Sequence, residues 1–152
     1  MTQTGANRIG LTPRLVGTLY TEAMLLADEA RGYFDANGRD DRESLSPMLR
    51  VGFSCESLRV TTRLMHVIAW LLHRRAMFAG DPGAGPDDSA ARIGEPVAAD
   101  WEVCAGFDIS VRRIISASER LFERIAAIEA GWDVPEAVTP VQALLAQLEA
   151  RL

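Results

Sequence analysis

Apolar residues recur three and four apart along most of this chain, the spacing that lays a stripe down a helix of 3.6 residues per turn. Leu15, Leu19, Ala23, Leu26, Ala30 and Phe34 form one stripe, with Glu22, Asp28, Glu29 and Arg31 mainly on other faces. Thr12 offers an N-cap and Pro13 a first-turn proline whose missing N–H does no harm. Asn37 and Gly38 tolerate the left-handed conformation that closes a helix, so a first helix is predicted at about 12–36. Ser46 and Pro47 repeat the same cap before a longer stripe of Leu49, Phe53, Val60, Leu64, Val67 or Ile68, Leu71 and Leu72. The glycines and prolines that begin at Gly80 end it, which predicts a central helix at about 46–79, roughly 50 Å long at 1.5 Å per residue.

A third stripe runs through Val97, Cys104, Phe107, Val111, Ile114, Ser118, Leu121, Ile125 and Ile128, with a helix expected at about 108–130 and Gly131 closing it. Thr139 and Pro140 open a short segment, about 139–152, whose Val141, Leu144, Leu145, Leu148 and Leu152 share a face. A helix so short is marginal in water and must dock on the bundle, a second copy or a partner. Residues 1–11 read as a ragged tail, and 38–45 as a charged connector of ordinary length for antiparallel helices. The stretch at about 80–96, broken by Gly80, Pro82, Gly83, Gly85, Pro86, Gly94 and Pro96, reads as the mobile loop. The fold class is all-α: a single domain over residues 1–152, an antiparallel three-helix bundle with a long central helix and a short C-terminal amphipathic segment.

Charge changes this picture in one place. The chain carries -5 overall, which argues against nucleic acid as its partner, yet residues 49–79 hold Arg50, Arg59, Arg63, Arg74 and Arg75 against Glu56 alone. Every cationic side chain but histidine is an arginine, a codon-usage signature of a GC-rich bacterial genome without functional content. Cys55 and Cys104 form no paired framework and read as two buried, reduced thiols in a cytoplasmic protein. No secretory signal opens the sequence and no apolar run reaches the roughly 20 residues that cross a bilayer.

Candidate chemistry is sparse. His66 and His73 lie about two turns apart, too far to share a metal, and no carboxylate stands three or four residues before either. Nucleophile elbows, phosphate-cradling loops and dinucleotide fingerprints are missing, so no catalytic, cofactor-binding or metal residue is assigned. Glu56, Arg59 and Arg63 share one helix face. One reading makes them a docking patch that presents guanidinium forks to a partner; the other makes them ion pairs bridging to Glu22 or Asp28 on the first helix. Leu144, Leu145 and Leu148 are the second candidate partner-binding group. Thr61 and Thr62 are locally unfavourable inside a helix and suggest a tight helix crossing; Trp70 reads as core, and Trp101 as a dock for the loop.

The segment Glu56-Ser-Leu-Arg-Val-Thr-Thr-Arg-Leu-Met-His-Val-Ile-Ala-Trp-Leu-Leu-His-Arg-Arg-Ala76 resembles the centre of the alphaproteobacterial family of regulators of CtrA degradation, long catalogued as a domain of unknown function. Ser118-Glu-Arg-Leu-Phe-Glu-Arg-Ile125 is similar to that family's Ser-x-x-Leu-Tyr-Glu-Arg-Val, and Tyr20-Thr-Glu-Ala-Met-Leu-Leu-Ala-Asp-Glu-Ala-Arg-Gly-Tyr-Phe34 to its acidic first helix. The resemblance implies a dimeric, non-catalytic adaptor of the ClpXP protease. Its expected partners are a second copy, the ClpX unfoldase primed by a receiver-domain protein, a CtrA-like response regulator as cargo, and a cyclic-di-GMP-binding protein for some cargo. It implies a cytoplasmic protein recruited to the cell pole, and tethering as the working principle. Read without the resemblance, the same residues describe a soluble helical domain that binds another protein; the alternative to the adaptor is a dimeric interaction or scaffold protein that shares the fold without a link to proteolysis.

Overall fold

In a computed structural model, which describes residues 11–132, 145 and 147–150, three long helices pack around one core. In chain order the described elements are α1 (Pro13–Gly32), a π-helical turn (Tyr33–Asn37), α2 (Arg39–Glu43), α3 (Pro47–Phe78), a 3-10 turn (Ser89–Ala91), α4 (Trp101–Cys104) and α5 (Ile109–Trp132). The fold is all-α, as the stripes predict, and the described residues contain no strand.

The two expected caps are present. Thr12 Oγ1 accepts from the Leu15 N–H at 3.1 Å and Ser46 Oγ from the Leu49 N–H at 3.4 Å, with Pro13 and Pro47 in the first turns. Leu19, Ala23 and Ala30 of α1 meet Phe53, Val60, Leu64, Val67, Trp70 and Leu71 of α3 and Val111, Ile114, Leu121 and Ile125 of α5 in the buried interior. Leu11, assigned by sequence to the ragged tail, is fully buried there. Phe34, Phe53 and Phe107 stack edge to face at 5.3 and 5.5 Å between centroids and close the end of the bundle near the start of α3.

Three local expectations are corrected. The first helix does not close in a left-handed conformation at Asn37 and Gly38. It widens into the π turn, where the Gly38 N–H reaches the Tyr33 carbonyl, and Gly38 itself has φ −90°. Glycine is required there for space: a Cβ would lie 2.7 Å from the Tyr33 carbonyl oxygen. The charged connector winds into α2, to which the Tyr33 hydroxyl is tied by donating to Asp41. Finally, α5 passes through Gly131 to Trp132.

The segment after α3 is held to the bundle at several points. Gly80 and Gly94 take positive φ, 75° and 82°, at its two bends. Between them Ala91 and Ile93 are buried; Arg74 donates to the Ala91 carbonyl at 2.9 Å while stacking over Trp70, and Glu129 accepts from the Ile93 N–H at 2.9 Å. A ring nitrogen of His73 contacts the Gly85 carbonyl at 2.9 Å.

Candidate functional site

Two of the three charged candidates on the central helix face inward. Glu56 and Arg63 are each only 1% exposed, whereas Arg59 is 37% exposed. Glu56 Oε2 accepts from Arg59 and from the Asp100 N–H at 3.1 Å, and Glu56 Oε1 faces Arg63 Nη2 at 3.8 Å, an ion pair longer than a hydrogen bond. Arg63 donates through Nε to the Val97 carbonyl at 2.7 Å and through Nη1 to Ser118 Oγ at 2.9 Å; Ser118 passes the chain on to the Ile115 carbonyl. Glu119 grips the same segment from α5, accepting from the Ala99 N–H and from the Trp101 indole at 2.8 Å. These groups clamp residues 97–101 between α3 and α5.

The clamp settles the geometry of the three residues. Side chains as buried as Glu56 and Arg63 offer no surface to a partner, and their ion pairs do not run to the first helix. Glu22 instead makes a two-pronged pair with Arg124 of α5, at 2.7 and 3.1 Å, and Asp28 pairs with Arg31 one turn on. Burial pulls the Arg63 guanidinium below its ordinary range against the opposing pull of Glu119 and Glu56, while the bond to Glu56 raises that of Arg59.

Of the second group, Leu144 lies outside the described residues; Leu145 and Leu148 are helical and half exposed. Thr61 and Thr62 each donate a hydroxyl to the carbonyl four residues back, of Ser57 and Leu58. Cys104 is buried, and burial with nearby Glu56, Asp100 and Glu119 pushes its thiol up to about 12; Cys55, expected inside, is exposed. Among the described residues no group of three or more His, Cys, Asp or Glu could hold a metal, and no helix is long and apolar enough to cross a membrane.

One apolar feature was not anticipated from sequence. A cleft of about 270 Å³ runs between α1 and α3, floored by Ala30, Val60 and Leu64 and walled by Ala27, Phe34, Met65 and Ile68, with Arg31 and Asp35 at its rim. Met65 is 64% exposed at its edge, and Leu58 and Leu72 of α3 and Met24 of α1 are exposed as well. Methionine at an exposed apolar surface is a flexible contact residue, and an apolar centre with a charged rim is the usual anatomy of a protein interface.

No curated protein matches the chain. The crystal structure of RcdA from Caulobacter crescentus CB15 is similar to it, with 31% sequence identity and a TM-score of 0.60 over 76% of this chain and 88% of that one. The family described as "protein of unknown function (DUF1465)" matches residues 8–152. A family match of that length, joined to a three-helix bundle similar to that of RcdA, means that the chain belongs to the DUF1465 family.

Proposed function

We propose that this protein is a non-catalytic adaptor that helps deliver cell-cycle regulators, a CtrA-like response regulator among them, to ClpXP. The observation that carries the reading is its likeness to RcdA across most of both chains. Adaptors act by raising the local concentration of cargo at the protease, so they need contact surfaces and no reactive constellation. The exposed apolar residues of α1 and α3 and the half-exposed Leu145 and Leu148 suit that task. In this reading the working unit is a homodimer in the cytoplasm, recruited to the cell pole. It engages ClpX primed by a receiver-domain protein, with a cyclic-di-GMP-binding partner for some cargo, and the C-terminal group of Leu144, Leu145 and Leu148 contacts a partner. Arg59, alone of the charged trio, keeps an exposed edge for docking.

The test is degradation of the source organism's CtrA-like regulator by its own ClpXP and primed receiver protein, with and without this chain. Faster turnover that depends on the chain is the expected result. Unchanged turnover, with every component active, would refute the adaptor reading. It would favour the alternative, a dimeric helical scaffold unconnected to proteolysis, which the exposed apolar face of α3 supports independently.

A further inference from the structure

The long helix carries a second apolar stripe, on the side away from the core. Met48, Val51, Cys55, Leu58, Thr62, Met65, Ala69 and Leu72 follow one another at alternating steps of three and four, the a and d positions of four heptads. Seven of the eight are exposed and Thr62 is half-buried; Met48 is 87%, Leu58 69% and Met65 64% exposed. A straight helix drifts by about 20° per heptad against such a repeat. Leu72, at its far end, is less exposed, at 44%. No described element covers the stripe.

We propose that this seam is where two copies of the chain pair, antiparallel, about a two-fold axis near Val60. The inference rests on the homodimer of the preceding reading and assigns its surface. An isologous contact must be complementary to itself, and this seam is. Its d positions are large (Val51, Leu58, Met65, Leu72) and its later a positions small (Cys55, Thr62, Ala69). Antiparallel pairing sets each a against a d: Val51 against the partner's Ala69, Cys55 against the partner's Met65, Leu58 against the partner's Thr62, and Met48 against the partner's Leu72, each layer occurring twice. The inner layers then each hold one large and one small side chain, and the helices approach at even thickness. Parallel pairing would stack Leu58 on the partner's Leu58 and Thr62 on the partner's Thr62, alternately too thick and too thin.

The flanks of the seam carry few charges. One flank of the seam holds Gly52, Arg59, His66 and His73, the other Ser54, Thr61, Ile68 and Arg75. Beside the axis Arg59 meets the partner's Arg59, each guanidinium held by its own Glu56, and Arg75 lies over the Tyr20 ring. From Met48 to Leu72 the strip is about 36 Å long and about 10 Å wide. Two such ridged strips, with the adjoining Met24, bury on the order of the 1,000 Å² at which stable contacts begin.

Sedimentation equilibrium of the full chain, 16.6 kDa per copy, reads the association. The wild type is expected at twice that mass, and Met65→Asp and Leu58→Asp, both at exposed positions, at the single mass with unchanged helicity. In a Cys55→Ser background, Thr61→Cys is expected to cross-link to dimer with a short bis-maleimide, because Thr61 meets the partner's Thr61 beside the axis; Arg120→Cys on α5 should not. A dimer indifferent to both aspartates, or cross-linked as readily through position 120, overturns the seam while leaving the homodimer standing. A wild-type monomer at high micromolar concentration overturns both, and leaves the seam to a helix of another protein. The degradation assay, read separately, decides the adaptor role in each case.

Discussion

Replacing Arg63 with leucine separates a structural clamp from a docking residue. Arg63 is buried, and its loss strips the Val97 carbonyl of a 2.7 Å donor and leaves Glu56 Oε1 without its facing charge. Breaking a buried ion pair from one side costs about 3–5 kcal/mol, because the remaining charge stays desolvated. Two features hold the value near the lower end. Glu56 keeps Arg59 and the Asp100 N–H, and Ser118 keeps its bond to the Ile115 carbonyl. A loss of about 3 kcal/mol lowers the melting temperature of a domain of this size by about 6–12 °C. Glu56→Gln preserves volume and one acceptor, and the double variant should lose less than the sum of the single losses by about 1–3 kcal/mol, since the two share one network. Urea unfolding followed by helical ellipticity, with all variants at one protein concentration, measures both quantities. A loss below about 1 kcal/mol for Arg63→Leu, or strict additivity with Glu56→Gln, would refute the clamp.

Glycine positions give opposed signs in the same assay. Gly38→Ala puts a Cβ 2.7 Å from the Tyr33 carbonyl and should destabilise by about 1–3 kcal/mol, whereas Gly17→Ala, with open space around it in α1, should stabilise by about 0.5–1 kcal/mol. A thiol reagent at pH 8 should reach Cys104 only on unfolding, because burial holds its thiol protonated; fast labelling of Cys104 in the native protein would contradict the buried site. Burial and the bond to Asp41 raise the Tyr33 phenol above its ordinary 10.0. The folded state then holds that proton more tightly than the unfolded chain, so this contribution is present below pH 10 and is lost as the pH rises above it. Absorbance titration near 295 nm should show the resistant phenol, and Asp41→Asn should bring its midpoint down.

What sequence could reveal here divides along the reach of each interaction. The caps at Thr12 and Ser46 act within three residues and were legible, as were the stripes of α1 and α5, whose outer faces are mainly polar. The π turn was not, because it depends on Tyr33 reaching forward to Asp41 and packing near Phe53. Nor was the anchored course of the loop, where Arg74 and Glu129 bind backbone groups 17 and 36 residues away. Spacing placed Glu56, Arg59 and Arg63 on one face, but whether that face met solvent depended on the Val97 carbonyl, 34 residues from Arg63, and the Asp100 N–H, 44 from Glu56. A periodic pattern names a helix's neighbours along itself and is silent about what covers them.

The central helix shows the same limit from the other side. Its inward stripe, Phe53, Val60, Leu64, Val67 and Leu71, and its outward one, Val51, Leu58, Met65 and Leu72, are both apolar, so the two merge into one broad hydrophobic pattern. That is why Leu72 reads with Leu71 as core when it is in fact on the outer seam. The seam is nonetheless costly to leave in water, since each large apolar side chain moved from solvent into a packed contact is worth about 1.5–3 kcal/mol, and four of them repeat at a strict seven-residue interval on the longest helix. A bundle already closed by α1, α3 and α5 does not need those residues for its own core. Their placement is therefore an association signal, and mutating them should change what the protein binds while leaving how well it folds unaltered, the reverse of what Arg63 should do.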